Sequence, residues 1–401
     1  MTEVVIIGGG ASGMMAAITA AENKDNHVVL LERQQRVGRK LLATGNGRCN
    51  ITNTGASAEN YHGADPDFVK PALAAFGPRE TLDFFEGLGL ITVEEYGGRV
   101  YPFSNSANSV VDVLRFALEN RGADVRTACP VKEIRRSGSG FDVITEGGSL
   151  HADRLIVACG GAAGGKVGGV SDGYELLKPL GHKRTKLYPV LMPVFTEPEY
   201  PRALKGIRAD VQLMLMSGDT VIAASCGELQ FTDNGVSGPA VFDISGRLPE
   251  ARDRAALHID LTNGRSEQFR RMLRERKTTM AGTDSAEALT GMLHNRLGRM
   301  VLKRCGIAGG RTIAELTDRE TDRIADMCAD FTLKVTGSAG FDSAQVTGGG
   351  IKTDTVDPNT MQSRLVPNLY ICGELLDVDG DCGGYNLQWA WACGRMAGQL
   401  K

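Results

Sequence analysis

A short aliphatic run, Val4-Val5-Ile6-Ile7, leads into Gly8-Gly9-Gly10-Ala11-Ser12-Gly13, and few segments restrict a chain's options more than this one. Four β-branched residues make a short buried strand, too short and too branched for a helix. Glycines 8, 10 and 13 spell G-x-G-x-x-G, and Met14, Met15, Ala17, Ile18 and Ala21 then give the following helix an apolar side. One glycine makes the tight turn, one lets a pyrophosphate approach the backbone, and one allows close helix–strand packing. The helix N-terminus offers unpaired N–H groups and a positive dipole end to the phosphates. A second strand, Val28-Val29-Leu30-Leu31, ends at Glu32, 19 residues after Gly13. There a carboxylate can accept from a ribose hydroxyl, which favours FAD or NAD over NADP, although the neighbouring Arg33 pulls the other way.

At 401 residues the chain exceeds one ordinary core, so two or three domains are expected. A net charge of −3 gives no global attraction to nucleic acid or anionic membrane. No apolar run approaches the roughly 20 residues needed to span a bilayer. Nine cysteines at irregular spacings point to a reducing cytoplasm, and a strand opening at residue 3 leaves no room for a signal peptide. The 51 glycines are clustered, which suggests backbone-to-ligand contact at several places.

The segment from Arg33 to Asn53 mixes cations, hydroxyls, amides and closely spaced glycines. On composition alone it reads equally well as a surface loop. At the carboxyl end of the second strand, however, Arg39, Lys40 and Arg48 could neutralise a diphosphate, while Thr44, Asn46 and Asn50 could bond a polar ring edge.

Gly8 to Gly13, followed by Gly38-Arg39-Lys40-Leu41-Leu42-Ala43-Thr44-Gly45-Asn46-Gly47-Arg48-Cys49-Asn50-Ile51-Thr52-Asn53, resembles the bacterial flavoproteins of the HI0933-like or BaiN family, which includes proteins described as aminoacetone oxidases. Leu369-Tyr370-Ile371-Cys372-Gly373-Glu374-Leu375-Leu376-Asp377 and Gly383-Gly384-Tyr385-Asn386-Leu387-Gln388 are similar to the family's C-terminal signature. The resemblance implies an α/β fold: a Rossmann-like FAD-binding domain with an inserted antiparallel β-barrel or sheet and a small helical subdomain. It also implies a cofactor site of Gly8, Gly10, Ala11, Ser12, Gly13, Glu32, Arg33, Arg39, Lys40, Thr44, Gly45, Asn46, Arg48, Cys49 and Asn50. Later in the chain the same site would take Val131, Ala158, Gly160, Gly161, Gly373, Glu374, Asp377, Gly384, Tyr385, Asn386 and Leu387. Among these, Val131 would offer its amide to the adenine, the small-residue turn after Val157 would approach the flavin, and Asp377 would bond the ribityl chain.

Residues 66 to 90 read as one helix around Phe68, Leu73, Phe76, Leu82, Phe84 and Phe85, an aromatic stripe that suits a core. A turn at Tyr101 to Ala107 precedes a helix from Val110 to Glu119, and Val125 to Thr127 and Phe141 to Ile144 are strand-like. Leu155 to Ala158 reads as a buried strand running into glycines. Gly160 to Lys166 also fits G-x-x-x-x-G-K, but Val167 stands where a magnesium-binding Ser or Thr belongs, which excludes a nucleotide hydrolase. Short strands follow at Val190–Val194, Ala209–Met216, Val221–Ala224, Gly227–Thr232 and Leu257–Leu261. Composition then turns helical, with Arg265, Arg270, Arg271, Arg274, Arg276 and Lys277 in one cluster and no aromatics interleaved to stack bases. The expected division is residues 1–187 with 335–401 for the FAD-binding domain, 188–265 for the β insertion and 266–334 for the helical subdomain.

A dinucleotide site built from both ends of the chain favours FAD over NAD. The flavin carries the redox chemistry, so no essential side-chain nucleophile is expected and no catalytic side chain is assigned. Cys49, Cys372, Cys382 and Cys393 are not spaced as a C-x-x-C dithiol, and no metal-ligand spacing occurs. The expected function is an FAD-dependent oxidoreductase reduced by NADH or NADPH, with only one complete dinucleotide fingerprint, so the nicotinamide docks transiently. The acceptor is a small molecule that takes hydride, with steroid-like or other enones allowed by the resemblance. The alternatives are an amine oxidase producing peroxide and a flavin-binding regulatory or RNA-associated protein. The sequence leaves the substrate and oligomeric state open.

Overall fold

A computed structural model describes residues 1–251 and 254–401. The chain forms two compact units, Met1–Pro189 with Phe341–Lys401, and Val190–Gly340.

The first unit is organised on a five-stranded parallel sheet ordered Leu369–Ile371, Arg154–Val157, Thr2–Ile7, Asn26–Leu31 and Asp124–Arg126. The opening strand lies at its centre, paired on one side with Arg154–Val157 and on the other with Asn26–Leu31, so that Ile7 stands opposite both Val157 and Leu31. Its neighbours read as continuous aliphatic runs because both faces of a parallel sheet are covered. The opening helix, Ala11–Ala20, is buried from Ser12 to Ala20 and so lacks the polar side that a one-sided helix would show. The covering partner is the closing helix Tyr385–Gly398, which is apolar on nearly every turn and buries Trp389 and Trp391. Small residues let the two backbones approach. A Cβ on Gly394 would fall 2.5 Å from the Ser12 carbonyl oxygen, and one on Gly398 would fall 2.5 Å from that of Ala16.

Two small antiparallel sheets flank the main one, Val131–Ser137/Gly140–Thr145/Gly148–Ala152 and Thr52–Asn53/Arg99–Pro102/Thr92–Glu95. The aromatic stretch expected as one helix is broken into Pro66–Val69, Lys70–Ala75 and Pro78–Gly87. Pro78 cannot donate to the preceding turn and instead starts a new helix, with Gly77 as its cap.

The second unit is a closed antiparallel barrel ordered Val194–Thr196, Gly235–Ser237, Thr220–Phe231, Arg208–Ser217, Ala255–Asp260 and Phe331–Ser338. The strands expected at 221–224 and 227–232 are one twelve-residue strand that passes through Gly227 at φ +136°. The helices Ser266–Thr279, Asn295–Arg304 and Asp318–Ala329 share the barrel's hydrophobic core through Phe269, Leu273, Leu297, Val301 and Ile324. The barrel is closed by a strand beginning at Phe331, inside the segment read as helical. Barrel and helices therefore bury one apolar interior rather than two. No helix among the described residues is long and apolar enough to cross a membrane.

Candidate functional site

Every residue singled out for the cofactor lies in the first unit. Gly8, at φ +108°, turns the chain where a Cβ would stand 2.4 Å from the Ala158 carbonyl oxygen. Gly13 is more tightly constrained, since its Cβ would fall 1.8 Å from the Gly8 oxygen. Gly10 differs from both, because a Cβ there meets nothing within 4 Å. The first intrahelical bond runs from the Met14 amide to the Gly10 carbonyl, 2.9 Å, so the preceding amides of Ala11, Ser12 and Gly13 have no partner within the helix. An anion is the natural partner for them.

Glu32 is half-buried and already serves the turn. One carboxylate oxygen accepts from the Gly9 amide at 2.7 Å and the other from the Gln34 amide at 2.7 Å. Each oxygen keeps a second lone pair for a hydroxyl donor. Of the cations, Lys40 reaches furthest into the site, donating from Nζ to Glu374 at 2.6 Å. Arg39 and Arg33 instead bond Gln34 and the carbonyls of Lys166 and Gly168. Arg48 lies over the Tyr101 ring, 4.0 Å from its centre, and donates to Asn105 and to Glu95, whose carboxylate neutralises its charge locally. Gly45 and Asn46 hold positive φ in the same loop, and the Thr44 hydroxyl donates to the Leu41 carbonyl.

Glu374 links three segments. Besides Lys40 it accepts from the Thr347 amide at 2.9 Å, and the Thr347 hydroxyl in turn accepts from the Ala163 amide at 2.8 Å. Thr347 fits there because Gly161 has no Cβ, which would fall 2.4 Å from the Thr347 hydroxyl. Gly160, beside it at φ +72°, has open space where its Cβ would point. Gly373, at φ +80°, leaves room for Ser12, whose Oγ lies 2.3 Å from the position of a Cβ. The opening turn and the end of the last strand therefore touch directly. Val131 borders a hollow of about 290 Å³ that residues 131–134 and Asp172, Glu175, Leu176 and Pro179 surround.

The turn before the closing helix is held from several sides. Gly384 packs on the Thr52 backbone and Asn50. Asn386 accepts from the Gly380 amide and donates to the Gly380 carbonyl, 2.8 and 2.7 Å, so its amide clips this turn. Tyr385 meets Tyr61 edge-on, its carbonyl accepting the Tyr61 hydroxyl. Leu387 packs against the core. Gln388, fully buried, accepts from the hydroxyls of Thr52 and Thr81 and donates to the Phe76 carbonyl.

Cys49 is buried and its thiol is pushed up to about 12 by that burial, as is Cys159. Both are neutral at physiological pH, which removes the thiolate that reactivity requires. Asp377 is held above the usual carboxyl range by burial, against hydrogen bonds from the Thr185 hydroxyl and Ala64 amide. No group of three or more metal-ligating side chains occurs among the described residues.

This donor and acceptor set fits a flavin dinucleotide. Open space lies at Gly10 and Gly160, and the amides at the helix start have no partner within the helix. The buried Oδ1 atoms of Asn50 and Asp379 take no hydrogen bond. Sequence reasoning missed Thr347, Gln388 and Asp379. Which carboxylate of Asp377, Asp379 and Asp381 lacks a partner depends on folded contacts.

Residues 2–400 match the HI0933-like protein Rossmann domain family. A 3-dehydro-bile acid delta(4,6)-reductase of Clostridium scindens is 38% identical over 404 residues, covering 100% of this chain and 98% of that protein. A ribosomal RNA dihydrouridine synthase of Escherichia coli is 28% identical over 371 residues, covering 91% of this chain and 89% of that protein. Among solved structures, 3-ketosteroid delta1-dehydrogenase from Sterolibacterium denitrificans shares the fold at a TM-score of 0.54 and 13% identity, covering 100% and 99% of the two chains. With a full-length match of this kind and a Rossmann sheet completed by both chain ends, the chain belongs to the HI0933-like family of FAD-dependent oxidoreductases.

Proposed function

We propose that this protein reduces a carbon–carbon double bond conjugated with a carbonyl in a lipophilic, steroid-like small molecule, using NADH or NADPH as donor. The observation that carries the reading is the full-length 38% relative, whose name describes reduction at the 4 and 6 positions of a 3-oxo bile acid. The name of the second relative, dihydrouridine synthase, also describes saturation of a double bond next to a carbonyl, in uracil. The two names thus share a bond type although the molecules that carry it differ.

Bound FAD would supply the hydride chemistry, accepting from a nicotinamide and giving to the acceptor's conjugated carbon. The chain's own residues bind and orient. The amides at Ala11 to Gly13 would hold the pyrophosphate, and the Glu32 lone pairs would take a ribose hydroxyl. The Lys40–Glu374–Thr347 chain would fix the turn at Gly160 and Gly161, where the open space beside Gly160 suits the approach of a flat ring. The start of the closing helix would aim its dipole at an anionic ring edge.

Anaerobic mixing with NADH or NADPH should bleach the flavin absorbance, and a 3-oxo-Δ4 steroid should restore it with formation of the saturated ketone. Failure of both nicotinamides to bleach would refute the reading, and peroxide release with small amines would replace it with an oxidase. A second reading, reduction of uridine in ribosomal RNA, is favoured by the 28% relatives. Against it, the basic cluster on helix Ser266–Thr279 is largely neutralised. Arg270 and Arg274 bond Asp322, Lys277 bonds Asp318, and Arg276 donates to the carbonyls of Ala288 and Thr290. Reoxidation of the reduced protein by an rRNA fragment but by no steroid would reverse the order of the two.

A further inference from the structure

Four carboxylates occupy the eight residues that follow the last strand and its glycine turn, and three of them are paired. Glu374 takes Lys40 and the Thr347 amide. Asp377 takes the Thr185 hydroxyl and the Ala64 amide. Asp381 takes His62 at 2.7 Å and the Asn60 side-chain amide at 3.2 Å. Asp379 is the exception: it is 3% exposed, and its Oδ1 is buried without a hydrogen-bond partner.

A carboxylate oxygen withdrawn from water without a donor is costly, and native structures seldom leave one so. Its surroundings narrow what the missing donor is. Asp379 forms a bridge opposite His62 and precedes Gly380, which Asn386 clips to the start of the closing helix. Across that turn lies Asn50, whose own buried Oδ1 is also unpartnered and stands 3.0 Å from the position of a Cβ on Gly384. Two unsatisfied acceptors thus flank one turn. A phosphate, itself only an acceptor, has no place there, whereas the amides of Ala11 to Gly13 offer donors at the other end of the site.

We propose that Asp379, with Asn50 beside it, accepts hydrogen bonds from the ribityl hydroxyls and ring N–H of the bound flavin, and that Asp377 is a structural carboxylate that holds the turn. The assignment rests on the flavin reading above, and it moves the ribityl contact two residues along the chain from the position that the family resemblance suggests.

The test compares the wild type with Asp379→Asn and Asp377→Asn by titrating apoprotein with FAD and following quenching of flavin fluorescence. ADP, which lacks the flavin half, serves as a second ligand, followed by calorimetry. A hydrogen bond to a charged acceptor predicts that Asp379→Asn weakens FAD binding by about tenfold to a hundredfold and leaves ADP affinity within about twofold. Its apoprotein should melt no lower than wild type, because an unpaired buried acid has been removed. Asp377→Asn should instead lower the melting temperature of the apoprotein. FAD affinity for Asp379→Asn within about twofold of wild type would overturn the assignment while leaving the flavin reading intact, as would an equal loss of ADP binding. A wild-type protein that binds no FAD would overturn both.

Discussion

Replacing Gly394 with alanine should destabilise the protein even though alanine is the better helix former. In the interior of the closing helix the exchange is worth about 1 kcal/mol in favour of alanine. The opposing term comes from the helix pair. The new methyl would stand 2.5 Å from the Ser12 carbonyl oxygen and 3.0 Å from its Cα, against ordinary contacts of 3.4 Å or more. Both obstructing atoms are main chain, so no rotamer change relieves them, and the opening helix must move away from the turn it starts. Overpacking of this kind costs about 3 kcal/mol at the upper end of the usual range, which leaves about 2 kcal/mol of net destabilisation. Gly87→Ala is the control: it ends helix Pro78–Gly87 with nothing within 4 Å of its Cβ, and should gain a few tenths of a kcal/mol, up to about 1. Urea unfolding of the apoproteins reads both without the contribution of a bound ligand. A Gly394→Ala protein as stable as Gly87→Ala would refute the claim that the two helices meet backbone to backbone.

Gly10→Ala should fold with apoprotein stability within about 1 kcal/mol of wild type yet lose FAD affinity at least about tenfold, because its methyl enters only the open face; Gly13→Ala should fail to yield folded protein. Retained FAD affinity in Gly10→Ala would remove the pyrophosphate from that face. The Asp379 carboxyl is held up, to about 6, chiefly by burial. The folded form therefore keeps a proton that the unfolded chain releases above about 4, and the stability this contributes is full below about 4 and lost as pH rises through about 6. Apoprotein stability relative to Asp379→Asn should fall by up to about 3 kcal/mol between about pH 4 and 7, and a flat difference would show that the carboxyl is not buried. A double-mutant cycle of Lys40→Met with Glu374→Gln should return a coupling of about 1 kcal/mol, since both side chains are largely covered, at 29% and 21% exposure. Additivity of the two changes would dissolve that pair.

The parallel sheet was legible because it rests on local rules. A strand, a glycine turn and a helix with an apolar side announce themselves within about twenty residues, and the closing Gly373-Glu374 and Gly383-Gly384 repeat the same vocabulary. What the sequence concealed was pairing across long separations. Arg48 reads as a free phosphate ligand until Glu95 and Asn105 come beside it, and the basic cluster shows no counter-charge until the acidic helix Asp318–Ala329 is laid along it. Gly227 punctuates the text as a break, yet barrel pairing on both sides carries the strand through it. Asp377 and Asp379 are indistinguishable by spacing, and only the neighbours supplied by Thr185 and Ala64 separate them.

The helix pair also sets a timetable for synthesis. The opening turn leaves the ribosome before the strand and helix that complete its pocket, which follow after some 350 further residues, a wait of roughly 20–70 s at ordinary elongation rates. Through that interval the apolar flank that the closing helix will cover with Gly394 and Gly398 stays bare, which exposes the nascent chain to chaperones and to premature association. A transcript cut short before the final helix would accordingly give a product without colour, however intact its nucleotide fingerprint.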